Sequence, residues 1–97
     1  MRFEWDPEKA ATNVTAHGIS FEEATALFES GAPALEIYDV EHSEHEDRYK
    51  SLGRIHRGLI LVVWTERTDD VIRIISAWPA TKTEQTMYEQ FLEEHYE

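Results

Sequence analysis

Two periodicities run along this chain, and each predicts its own kind of element. Leu59–Thr65 and Val71–Ala77 are short apolar runs rich in Val, Ile and Leu, without Gly or Pro. Runs of that length and branching, bounded by turn residues, favour strands over helices. Thr68-Asp69-Asp70 between them reads as a tight reversal, so the two runs are expected to pair as an antiparallel hairpin at the centre of a sheet. Arg2-Phe3-Glu4-Trp5 alternates like a short first strand. Ala34–Val40 is a further strand candidate through Leu35 and Ile37, and Arg48–His56 another through Tyr49, Leu52 and Ile55.

The helical pattern occupies the two ends. Asp6-Pro7 reads as an N-cap followed by Pro at the first helical position, and His17-Gly18 as the stop, with Gly in the left-handed C′ place. Ser20 and Glu23 have capping-box spacing, and Phe21, Ala24, Leu27 and Phe28 mark the buried face of a second helix. Thr81 and Glu84 repeat that spacing before a terminal stripe of Met87, Tyr88, Phe91 and Leu92. The expected order is β-α-α-β-β-β-β-α. That order predicts one α+β domain over residues 1–97, an antiparallel sheet covered by two N-terminal helices and a C-terminal helix.

Charge changes the picture in the middle of the chain. The net charge is −11, yet six of the nine Lys and Arg fall in residues 48–73. These are Arg48, Lys50, Arg54, Arg57, Arg67 and Arg73, against Glu66, Asp69 and Asp70. A basic sheet between acidic ends can meet a polyanion on one face; equally, such cations can solvate an open sheet face and pair with nearby acids. The chain has no Cys, which excludes disulfides and thiolate chemistry. It shows neither a signal-type run nor an apolar stretch of spanning length, so a cytoplasmic protein is expected.

The candidate chemistry narrows by elimination. His42 and His45, with Glu44, Glu46 and Asp47 beside them, could hold a divalent metal, but a polar loop supplies no rigid ligand frame. A solvated acidic loop is the plainer reading, and neither metal nor other cofactor is expected. No G-x-S-x-G motif or Gly-rich phosphate loop is present. His17 suits a helix C-terminus, where an imidazolium complements the dipole. There remains the basic sheet. Metal-free RNA cleavage needs a base, an acid and cations that stabilise the phosphorane-like transition state. Arg54, Arg67 and Arg73, one from each strand region, could cluster there if register allows, with Glu66 or His56 moving protons. Arg48 and Lys50 would add phosphate contacts. Strand parity is a difficulty, because Glu66 and Arg67 face opposite ways unless the strand bulges or has ended.

These residues also carry a resemblance. FEWDPEKAATNVTAHGISFEEA, DVEHSEHEDRYKSLGR, LILVVWTER and IRIISAWPATKTEQTMYEQ resemble the BrnT family of type II toxins over nearly the whole chain. The resemblance implies a RelE-like ribonuclease toxin acting on RNA. It also implies neutralisation by a BrnA-like antitoxin with a ribbon-helix-helix domain, so that DNA would be met only through the antitoxin. One departure stands out: the family commonly has Arg after Ser-Ala in the last strand, where this chain has Trp78. Trp can stack on a base but cannot neutralise a phosphate. A catalytically degenerate homologue, kept as an antitoxin-binding co-repressor module, is therefore the alternative reading.

Overall fold

The computed structural model describes residues 1–96. Its elements are β1 (Arg2–Glu4), α1 (Pro7–His17), α2 (Phe21–Ala24), α3 (Ala26–Glu29), β2 (Ala34–Tyr38), a 3-10 turn (Val40–His42), β3 (Tyr49–Ile55), β4 (Gly58–Glu66), β5 (Val71–Pro79) and α4 (Lys82–His95). The helix expected after Ser20 is thus two single turns, broken at Thr25, whose hydroxyl donates back to the Glu22 carbonyl. The caps lie where the residue types put them. Asp6 accepts from the Glu8 amide, and Gly18 takes φ 71°. Ser20–Glu23 and Thr81–Glu84 both close full capping boxes.

The five strands form one sheet in the order β1-β5-β4-β3-β2. The hairpin of β4 and β5 is antiparallel, as are β3–β4 and β2–β3. The edge strand β1 runs parallel to β5, Glu4 opposite Arg73, so the sheet is mixed rather than wholly antiparallel. The cause is connectivity: α1 to α3 carry the chain across one face to β2 at the far edge, and three antiparallel steps then bring β5 back beside β1 running in the same direction.

Both faces are covered, where the sequence suggested one. Phe21, Ala24 and Leu27 pack with Ile60, Val62, Trp64, Ile72, Ile74 and Ala77 on one side. On the other, Tyr88 of α4 packs with Leu52, Leu61 and Val63, and Leu35, Trp78, Phe91 and Leu92 adjoin them. Met87 stays 36% exposed at the margin of this core, so the terminal stripe is narrower than its spacing suggested. A bulge decides which side chains of β5 join each face. Val63 pairs with Ser76 and Trp64 with Ile74, leaving Ile75 as the extra residue. Strict alternation from Arg73 would send Trp78 to the opposite face. The bulge instead returns Ala77 to the first core and brings Trp78 to the α4 side with Ile75.

Candidate functional site

The α4 side of the sheet is covered at one end only. At the other end three arginines and two glutamates form a row. Arg73 lies opposite Thr65 on β4 and Glu4 on β1, so their side chains share this face. Arg73 Nη1 donates to Glu4 Oε2 at 2.7 Å. Arg67 follows the last residue of β4 two positions after Thr65, and its amide still bonds the Val71 carbonyl, so parity keeps it on this face. Its Nε lies 3.7 Å from the same Glu4 oxygen, and its Nη1 lies 3.7 Å from Glu46 Oε1. Arg48 Nε donates to Glu46 Oε2 at 3.2 Å. The row therefore reads Arg73, Glu4, Arg67, Glu46, Arg48.

The loop from residue 39 to 48 carries the far half of this row, and it is pinned. The Ser43 hydroxyl donates to the Asp39 carbonyl and accepts from the Arg48 amide at 2.9 Å. Thr65, buried in β4, donates to the Asp47 carbonyl at 2.6 Å. A stretch that reads as a plain acidic loop is thereby fixed against the sheet beside Arg67. His42 braces the loop, its Nδ1 2.9 Å from Asp39 Oδ2. Among the described residues, no three or more His, Asp or Glu converge as ligands would.

The other expected site residues lie elsewhere. Arg54 pairs with Leu59 at the far end of β3, and Thr65, opposite Arg73, is roughly 20 Å further along β4 at strand rise. Its guanidinium stands 5.9 Å over the Tyr88 ring, a cation–π position under α4. The expected cluster of Arg54 with Arg67 and Arg73 is therefore not formed, because β3 and β4 run antiparallel and put these residues at opposite ends. His56 lies at the β3–β4 turn, 3.9 Å from Glu23. The same Glu23 accepts two 2.9 Å bonds from Arg57, which hold its carboxyl below the usual range together with the Ser20 amide. The length of β4, about 26 Å, separates that turn from Arg67, so His56 does not reach the arginine row. Glu66 ends β4 on the opposite face from Thr65 and Arg73, exposed and without an ion-pair partner among the described residues. Parity, raised as a difficulty from sequence, removes Glu66 from the row and keeps Arg67.

Lys50 shares the open face. It stands opposite Val63, one row from Thr65 and Arg73, half-buried. Trp78 is engaged in the fold, its indole N–H donating to Glu84 Oε1 at 3.2 Å at the start of α4. Its other side meets the His17 ring at 6.0 Å, beside a cleft of about 510 Å³ between α1 and β5 lined by Lys9, Asn13, His17 and Ser76.

The arrangement offers planar cations on an open face with carboxylates among them, the donor set for binding a phosphodiester and moving a proton. A family model for the ribonuclease toxin BrnT of type II toxin-antitoxin systems matches residues 5–84. The chain belongs to the BrnT family. The 1.1 Å crystal structure of the Brucella abortus ribonuclease toxin BrnT superposes with a TM-score of 0.63 at 23% identity, covering 84% of this chain and 99% of that one. That likeness concerns the fold. Among curated proteins, none matches the sequence. Membership of a BrnT family of ribonuclease toxins implies RNA as the substrate class and an antitoxin as partner. No helix among the described residues is long and apolar enough to cross a membrane.

Sequence reasoning missed Glu4 and undervalued Glu46. The signal for Glu4 was present, since it alternates with Phe3 and Trp5 on a strand. Only its pairing partner was unreadable, because a parallel edge contact between residues 4 and 73 has no local signature.

Proposed function

We propose that this chain is a metal-independent endoribonuclease toxin whose phosphate site is the row of Arg73, Arg67 and Arg48, with Lys50 guiding the strand along the open face. The observation that carries this reading is the two-guanidinium seat of Arg67 and Arg73, held in place by Glu4 and Glu46 on the uncovered part of the sheet. Arginine binds phosphate oxygens through paired N–H groups, and fixed donors lose little reorganisation energy as charge develops. Arg54 and His56 have no part in it. A BrnA-like ribbon-helix-helix antitoxin would neutralise the toxin by laying carboxylates over the same face, in competition with RNA.

The test is cleavage of RNA by antitoxin-free protein in excess EDTA, with growth arrest on expression as the cellular readout. Arg73→Ala removes one placed donor and is expected to cost about 3 kcal/mol of activation, or 10²-fold in rate. Its fold should persist, checked by circular dichroism. Undiminished cleavage by Arg73→Ala, or cleavage that stops in EDTA, rejects this site or this mechanism.

A second reading has its own observation. Four of the six central cations, Arg48, Arg57, Arg67 and Arg73, are already paired with carboxylates of the chain, and Trp78 fills the place of a family arginine while bonded to Glu84. A toxin so neutralised could survive as an antitoxin-binding module without turnover. Folded protein that binds its antitoxin yet leaves RNA intact, both as it stands and as Trp78→Arg, selects this second reading.

A further inference from the structure

We propose that Glu4, on the edge strand β1, is the general base of this site. The inference rests on the ribonuclease reading above and adds to it the group that starts the reaction.

The two glutamates of the row are not equivalent. Glu46 has both carboxylate oxygens engaged, Oε2 by Arg48 Nε at 3.2 Å and Oε1 facing Arg67 Nη1 at 3.7 Å. Glu4 uses one oxygen for both of its arginines: Oε2 lies 2.7 Å from Arg73 Nη1 and 3.7 Å from Arg67 Nε. Its Oε1 takes no hydrogen bond among the described residues, and the side chain is 43% exposed. The carboxylate is thus oriented through one oxygen and open to substrate through the other. A general base needs that division: it must be held, and it must still have a lone pair within reach of the hydroxyl.

Its competitors at this end of the sheet are occupied or misplaced. Asp47 turns to the opposite face, where its Oδ1 accepts at 2.8 Å from the hydroxyl of Tyr38, which packs with Tyr49 and Trp64. Asp70 sits in the β4–β5 turn against the Met1 amine at 2.6 Å. Glu66 is on the other face. Arg73 in turn spends one of its five N–H groups on Glu4, and its remaining donors can take the non-bridging oxygens of a phosphate laid beside that carboxylate.

The step is an internal transesterification. Glu4 Oε1 takes the proton of the ribose 2′-hydroxyl. The 2′-oxygen forms a bond to phosphorus, and the bond from phosphorus to the 5′-oxygen breaks. Arg73 and Arg67 hold the non-bridging oxygens throughout. The departing 5′-oxygen takes a proton from water, and Glu4 returns its own proton to the hydroxide left behind. The products are a 2′,3′-cyclic phosphate and a 5′-hydroxyl end.

The experiment compares wild type, Arg73→Ala, Glu4→Gln and Glu4→Ala on an RNA oligonucleotide in EDTA, reading kcat, KM and end groups. Glutamine keeps the shape and the contact to Arg73 but cannot take the proton. Glu4→Gln is expected to lower kcat by about 10²–10⁴-fold and to abolish the low-pH limb of the kcat profile, with KM changed less than about threefold. Formate should restore part of the lost rate in Glu4→Ala, which an unfolded variant could not show. Glu4→Gln cleaving at the wild-type rate overturns the assignment. Faster cleavage with a lower KM overturns it too, because Glu4 would then be a stand-in for phosphate. A dead Glu4→Gln with no formate rescue of Glu4→Ala also counts against it, the loss then being one of structure. Wild-type protein that leaves RNA uncut removes the ribonuclease reading, and the base with it. Wild type that cuts, an inactive Arg73→Ala and a fully active Glu4→Gln would remove Glu4 alone.

Discussion

Asn13 closes the part of β5 that β1 is too short to cover. β1 pairs only with residues 71 to 73, which leaves the edge of Ala77 that faces away from β4 without a strand neighbour. Asn13, buried in α1, presents an amide to that edge. Its Oδ1 accepts from the Ala77 amide at 3.1 Å, and its Nδ2 donates to the Ala77 carbonyl at 2.8 Å and the Ile19 carbonyl at 2.9 Å. One side chain thus does the work of a strand segment, and it fixes the wall of the cleft beside Ser76. Asn13→Ala would leave three backbone groups unpaired in a buried place and should destabilise the fold by about 3 kcal/mol or more. A urea midpoint within error of wild type would contradict this. The sequence hides such a residue, because an Asn between Thr12 and Val14 follows no apolar period. Val14, which does fit a helical period with Ala10 and Ala11, is 48% exposed. Glu4 does alternate with Phe3 and Trp5, yet its partner was equally out of sight. Burial pattern is local, whereas the partner that gives a polar side chain its role lies more than sixty residues away.

The caps and the central hairpin were legible, since each depends on a few adjacent residues. The parallel edge, the bulge at Ile75 and the split after Thr25 were not, because they answer to packing across the sheet. Helix α4 combines both cases. Thr81 and Glu84 announced its start, but its grip on the sheet comes from contacts spread over the chain. Tyr88 is 2% exposed, its hydroxyl donates to the Pro33 carbonyl at 2.8 Å, and Arg54 stands over its ring. Residues beyond 84, most of this helix, lie outside the stretch that the family model matches. Arg54 meets this helix, and not the row, because the antiparallel register of β3 and β4 leaves it at the other end of the sheet. Tyr88→Ala should cost about 3–5 kcal/mol through the lost ring. Tyr88→Phe should cost only about 1 kcal/mol through the lost hydrogen bond. Chemical denaturation of the two variants separates these terms; equal losses would show that the hydroxyl, not the ring, anchors the helix.

Charge sets the reach of the whole molecule toward RNA. A net charge of −11 repels a polyanion at long range, and the helix over the sheet adds Glu84, Glu89, Glu93 and Glu94 to that field. Attraction is left to the few cations on the open face, and three of them already share Glu4 and Glu46. Binding should therefore be weak and should depend little on salt. Each phosphate neutralised on a single strand contributes about −0.7 to the slope of log K against log salt, so three arginines give a slope of about −2. Titration of an inactive variant such as Arg73→Ala should lower that magnitude by about 0.7, because one phosphate contact is gone. A measured slope near −4 would mean that RNA extends beyond the row, onto Lys50 and the Lys9 and His17 side of the α1–β5 cleft. A slope near zero would mean that the internal carboxylates are never displaced. The row would then be an interior ion network, and the antitoxin, not RNA, would be the partner for which this face is built.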